Sequence, residues 1–181
     1  IKDLYDARES IGLNTEDAWL LERYYKDLIH AGAHLTEAQR DRLKELNEEL
    51  SKLETQFGKN VLADTNDLAV LVDSLEELDG LSENEIAAAA AAANDRGHDG
   101  KWLIGMVNFT GNPVLDSLTN RELRKKIMEA SKMKANRPNE NDNKPVILQM
   151  VKLRAERAKL FGKETHAEHV IAVQTAEHPD N

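Results

Sequence analysis

The 181-residue sequence contains no cysteine, only 4 prolines and only 4% aromatic residues. Without cysteine there is no disulfide, no thiolate nucleophile and no Cys-ligated zinc, a composition that fits a reducing compartment, and the cytoplasm is the plain expectation. No apolar run approaches the roughly 20 residues that span a bilayer, and the start lacks the basic-then-apolar layout of a leader, so no membrane partner is expected. Positive charge is also in short supply. Lys and Arg number 24 against 33 Asp and Glu, giving a net charge of -9 and a pI near 5.2. Such a surface repels phosphate backbones, so nucleic acid is not an expected partner either. The first residue is Ile1 rather than Met, and Ile1 to Tyr5 reads as helix interior with no cap before it, as expected of a piece of a longer chain.

What is present is helical patterning. Trp19, Leu20, Leu21, Tyr24, Tyr25, Leu28 and Ile29 recur at helical spacing between Asn14 and His30, and Ala31-Gly32-Ala33 supplies a stop. Thr36 with Gln39 forms a capping box for the next helix, along which Leu43, Leu46, Leu50, Leu53, Phe57 and Val61 lay one apolar seam. That seam needs a partner helix. The preceding segment is the nearest candidate, which makes residues 14–65 an antiparallel helical hairpin; an intermolecular coiled coil is the alternative.

Residues 68–72 and 102–107 read as short strands, and the helix between them favours a parallel crossover. That helix starts at a Ser82–Glu85 capping box and carries seven consecutive alanines, Ala87 to Ala93, which bury little area but allow close packing. Further capping boxes are expected at Thr119–Glu122 and Thr165–Glu168. Residues 136–143, rich in Asn and Pro, read as a loop, and a helix from Pro145 to Phe161 ends at Gly162. The expected fold is mostly α: a helical hairpin plus a helical bundle, with at most a small two-stranded β element. Residues 1–181 form a single scaffold segment, divided into the 14–65 hairpin and helices with short strands over 66–181.

Candidate chemistry is sparse. Histidines stand at 30, 34, 98, 166, 169 and 178, and only His166 and His169, beside Glu168, have a spacing near that of a metal pair. Helical zinc pairs usually sit at i and i+4, so a structural or surface role is expected for both. Arg121, Arg124, Lys125, Lys126, Lys132, Lys134 and Arg137 make a cationic stretch without the aromatics that single-stranded nucleic acid needs, so a solvated face pairing with acidic neighbours is expected. Arg154 shares a stripe with Ile147, Val151, Ala158 and Phe161, and a charge on an apolar face requires a carboxylate or carbonyl partner. Serine elbows, P-loops, dinucleotide-binding glycine patterns and H-E-x-x-H are all absent from the sequence. No catalytic, cofactor-binding or metal-ligating residue is therefore assigned.

Many short stretches in one order carry a resemblance. Leu46-Asn47-Glu48-Glu49-Leu50, Leu53-Glu54-Thr55-Gln56-Phe57, Leu78-Asp79-Gly80-Leu81-Ser82, Gly100-Lys101-Trp102-Leu103, Asn120-Arg121-Glu122-Leu123-Arg124, Leu153-Arg154-Ala155-Glu156-Arg157-Ala158 and Leu160-Phe161-Gly162 together resemble the thimet oligopeptidase family of zinc metallopeptidases. Ala31-Gly32-Ala33-His34-Leu35 and the Trp102 stretch look most like its peptidyl-dipeptidase branch, also called dipeptidyl carboxypeptidase, rather than its oligopeptidase A branch. The resemblance implies a parent several times longer, with zinc held by an H-E-x-x-H helix and a later glutamate, acting on short peptides and releasing C-terminal dipeptides. It implies zinc in the full-length enzyme and none in this chain, whose partner would be the remainder of the same polypeptide. A stand-alone helical interaction module is the competing expectation.

Overall fold

The computed structural model describes residues 1–107 and 111–181, and these fall into two compact units, Ile1–Leu53 with Leu148–Asn181, and Glu54–Ile147. The α-helices described are α1 (Lys2–Asp6), α2 (Thr15–His30), α3 (Glu37–Asp67), α4 (Glu83–Asn94), α5 (Pro113–Ser117), α6 (Arg121–Lys132), α7 (Lys144–Leu160) and α8 (His166–Ile171). Two short strands, β1 (Val70–Val72) and β2 (Trp102–Ile104), form the one sheet among the described residues. The chain is mostly α, as its composition and periodicity imply.

In the first unit, Tyr5 of α1 stacks flat on Tyr25 of α2, with ring centroids 3.8 Å apart, and the Arg8 guanidinium covers the Tyr5 ring at 4.2 Å. Leu46 and Leu50 of α3 are buried, as are Met150, Leu153 and Ala158 of α7. Arg42 of α3 donates to both carboxylate oxygens of Glu156 at 2.7 and 3.0 Å. Arg157 donates to Asn47 at 3.2 Å. The stripe expected on α7 is divided: Ala158 is buried, while Ile147 and Val151 are exposed. The inward face is instead set by Met150 and Leu153, which lie on the side of α7 that carries Glu156 and Arg157 toward α3.

The second unit is built on Val70, Val72, Leu78, Ala89, Ile104, Met106, Val114, Leu118, Leu123 and Ile127. β1 and β2 pair antiparallel, with Val72 opposite Trp102 and Val70 opposite Ile104; the expected parallel crossover is wrong. The chain leaves and re-enters at the same end of the sheet. After α4, Arg96 donates to the carbonyl of Asn66, ahead of β1, and the chain returns to Lys101 through Gly97 and Gly100, both at positive φ. The sheet is shorter than the apolar runs: Leu68 still donates to the helical carbonyl of Asp64, and β2 ends at Ile104, before Gly105. Gly80, at φ +95, has no room for a side chain, since a Cβ there would lie 2.0 Å from the Ser117 carbonyl oxygen.

The helix starts follow the expected caps with two corrections. Thr36 and Gln39 form the reciprocal pair at α3, and Ser82 with Glu85 does so at α4. At α6, however, Asn120 is the cap, accepting from the amides of Glu122 and Leu123, because the Thr119 hydroxyl is spent on Asp79 at 2.7 Å. At α8, Thr165 accepts from the Glu168 amide, but the Glu168 carboxylate reaches one residue further back, to the amide of Glu164. Ser82→Ala is expected to lower stability by about 1 kcal/mol, measured by urea denaturation, because the Glu85 amide loses its acceptor while the residue 82 amide still donates to the Glu85 carboxylate.

Candidate functional site

Three places gather polar or titratable side chains. The first is a ring cluster in the first unit. His169 of α8 is 6% exposed and packs against two rings, with the His30 centroid 4.3 Å away, the Phe161 centroid 4.4 Å away and those two 6.3 Å from each other. His34 tilts against Phe161 at 5.8 Å. Burial lowers the His169 pKa to about 4, and the neighbouring His30, Arg157, His166 and Lys163 push the same way. His166 is also lowered by burial, and its Nδ1 is buried without a hydrogen-bond partner. The structure thus brings together four histidines where the sequence singled out only two. His169 is a core residue rather than a surface one, buried in a triangle of rings with His30 and Phe161.

The second is a polar knot in the second unit. The Asp64 carboxylate, fully buried on α3, accepts from the Ala135 amide at 2.7 Å, from Asn141 Nδ2 at 2.9 Å and from Arg137. Arg137 also pairs with Asp67. One turn earlier on α3, Asn60 donates to Asn143 at 2.8 Å and accepts from Gln56 at 2.6 Å, while Asn143 donates to the Phe57 carbonyl. Hydrogen bonds from Arg137 hold the Asp64 carboxyl below its ordinary range, with help from Asn141 and Ala135. The knot fixes the 135–143 loop to α3 and leaves the carboxylate no lone pair directed at a ligand. The sequence signal for it existed: continuing the 3 and 4 spacing beyond Phe57 lands on Asn60 and Asp64.

The third is a cavity of about 420 Å³ between the alanine face of α4 and the chain around β2, lined among others by Ala88, Ala92, Leu103, Met106 and Val114. Its charged lining residues are Glu85, Asp95 and Arg96. Glu85 is engaged in the α4 cap, and Arg96 donates to the Asn66 carbonyl at 2.8 Å. The walls suit an apolar side chain, and neither engaged group is placed for proton transfer.

Of the seven cations in the basic stretch, Arg121, Lys125, Lys126 and Lys132 are exposed and the other three bond to the chain. Arg124 donates to the carbonyls of Leu118 and Thr119, Lys134 to that of Met106, and Arg137 belongs to the knot. Arg154 is half-buried. Among the described residues, no three of His, Asp and Glu gather in a way that would hold a metal ion, so these side chains do not fit a zinc centre. Also among them, no helix is long and apolar enough to cross a membrane.

Residues 114–181 match the family model described as peptidase family M3. Over 98% of its length the chain is 37% identical to the dipeptidyl carboxypeptidase of Escherichia coli (strain K12). The dipeptidyl carboxypeptidase of Salmonella typhimurium is 33% identical over 97% of the chain. A probable cytosolic oligopeptidase A of Arabidopsis thaliana is 32% identical over 97% of it. Along nearly all of its length, the chain is thus similar to dipeptidyl carboxypeptidases and oligopeptidase A, and its C-terminal third matches the M3 model. It spans 26% of the length of each of the two dipeptidyl carboxypeptidases and 27% of the plant protein. These relatives thus carry a large stretch of polypeptide with no counterpart in residues 1–181, and the knot, the ring cluster and the alanine-lined cavity are features of this quarter alone.

Proposed function

We propose that this chain is a non-catalytic helical scaffold segment of a cytoplasmic zinc metallopeptidase of the M3 family that hydrolyses short peptides and releases C-terminal dipeptides. The observation that carries this reading is 37% identity to a dipeptidyl carboxypeptidase along 98% of the chain, but only 26% of that relative. The side chains support the same reading, since buried Asp64, Asn60 and Asn143 bind one another and the backbone rather than facing open space. Zinc, the water it polarises and the H-E-x-x-H ligands belong to the parent enzyme outside residues 1–181. Residues 1–181 act as one scaffold segment, with 14–65 as its helical hairpin.

The second reading is an oligopeptidase A-like endopeptidase, favoured by the 32% identity to a plant oligopeptidase A. The full-length protein separates the two. Release of dipeptides from peptides with a free C-terminus but not from their amidated counterparts supports the dipeptidase; equal cleavage of both supports the endopeptidase. The purified 181 residues are expected to bind no stoichiometric zinc and to leave peptides intact, as read by metal analysis and chromatography of the digest. Metal with turnover in this chain, or a gene whose reading frame closes after Asn181, would overturn the proposal.

A further inference from the structure

α2 carries two neighbouring apolar ridges and covers only one of them. Leu21, Tyr25 and Ile29, each four residues from the next, are half-buried, with Tyr25 stacked on Tyr5. Leu20, Tyr24 and Leu28 form the adjacent ridge at the same spacing and are 44%, 56% and 41% exposed. Trp19 beside it is 63% exposed, and no residue of α2 is buried. The ion pairs Glu22–Lys26 and Arg23–Asp27 account for much of the helix's charge. A helix whose apolar arc is about twice as wide as its covered face is built to be enclosed from two sides. A straight ridge at i, i+4 and i+8 is also the element that seats in the groove of a second helix.

We infer that the Leu20–Tyr24–Leu28 ridge is the docking surface for a helix of the same polypeptide lying outside residues 1–181. This rests on the M3 reading above, and two observations select that occupant. Relatives that match 97 to 98% of the chain, α2 included, are spanned to only 26 or 27% of their own length, so ample polypeptide exists to cover it. A second copy of this chain is disfavoured, because it would bring two bodies of net charge -9 together.

The test compares amide hydrogen exchange over residues 15–30 in the full-length protein and in the 181-residue chain. Coverage of the second ridge is expected to slow exchange by about tenfold or more in the long form. Leu20→Asp with Tyr24→Asp is expected to return the long form to the rate of the short one, while leaving the helical circular dichroism of the short chain unchanged. Equal exchange in both forms would overturn the docking surface and leave the M3 scaffold reading intact. A concentration-dependent dimer of the short chain that Tyr24→Asp abolishes would overturn it in favour of a second copy. A reading frame that closes after Asn181 removes both readings, and the gene shows this before any exchange is measured.

Discussion

Asp64→Ala is expected to destabilise the second unit by about 3–5 kcal/mol, the cost of removing one partner from a buried charge pair. The magnitude follows from what is left behind. Ala135 loses the acceptor for its amide, Asn141 loses one for its side chain, and Arg137 keeps only Asp67. Ala135 itself sits at φ +51, a left-handed conformation that costs a non-glycine residue roughly 1–2 kcal/mol and that the Asp64 hydrogen bond helps to hold. Asp64→Asn keeps the shape and one acceptor oxygen, so its loss should be clearly smaller. Urea denaturation in a Trp19→Phe background, followed by the fluorescence of Trp102 in β2, reads this unit specifically. A loss below about 1 kcal/mol for Asp64→Ala, the ordinary surface range, would mean that the knot does not hold the loop.

The same residues show why the fold was more legible than its polar interior. Leu46 and Leu50 announce their burial by type, and Ser82–Glu85 announces a cap by type and spacing together; both can be read locally. Asp64 and Asn60 occupy equally inward positions on α3, but a polar residue on a helix reads as solvent-facing unless its partners are known. Those partners, Arg137, Asn141 and Asn143, lie more than 70 residues away in a stretch whose Asn content signals only a loop. Strand direction failed for a related reason. Whether a helical connection brings the chain back to the near or the far end of a sheet depends on the path after the helix, which here passes through Gly97 and Gly100 and is not legible in the helix itself. On α7 the apolar periodicity was real, yet Ile147 and Val151 face outward. Periodicity identifies a face that wants covering and says nothing of whether the covering element is within the same 181 residues.

Acidification from pH 6.5 to 4 is expected to destabilise the first unit by up to about 3 kcal/mol through His169 alone. Its folded pKa of about 4 lies below the ordinary 6.5, so between those values the unfolded chain binds a proton that the folded chain refuses. Its stabilising contribution is therefore complete above pH 6.5, declines as pH falls through the window, and levels off below 4. Geometry gives the cause: the imidazole is buried against the His30 and Phe161 rings, and the groups acting on it, His30, Arg157, His166 and Lys163, all disfavour an imidazolium. Asp64, whose carboxyl is held below its ordinary 3.8, titrates at lower pH, whereas His166, lowered by burial, adds to the same loss, and Glu156, held below 4.5 by Arg42, adds to it at the acid end. His169→Phe keeps a ring in the cluster and removes the proton site, so its free energy of unfolding should fall clearly less than the parent's from pH 6.5 to 4.5, the remaining slope coming from His166, which burial also lowers. Urea denaturation followed by circular dichroism at a series of pH values gives both curves. Parallel curves would show that His169 is protonated in the folded chain without cost, and hence that the ring cluster opens readily to water.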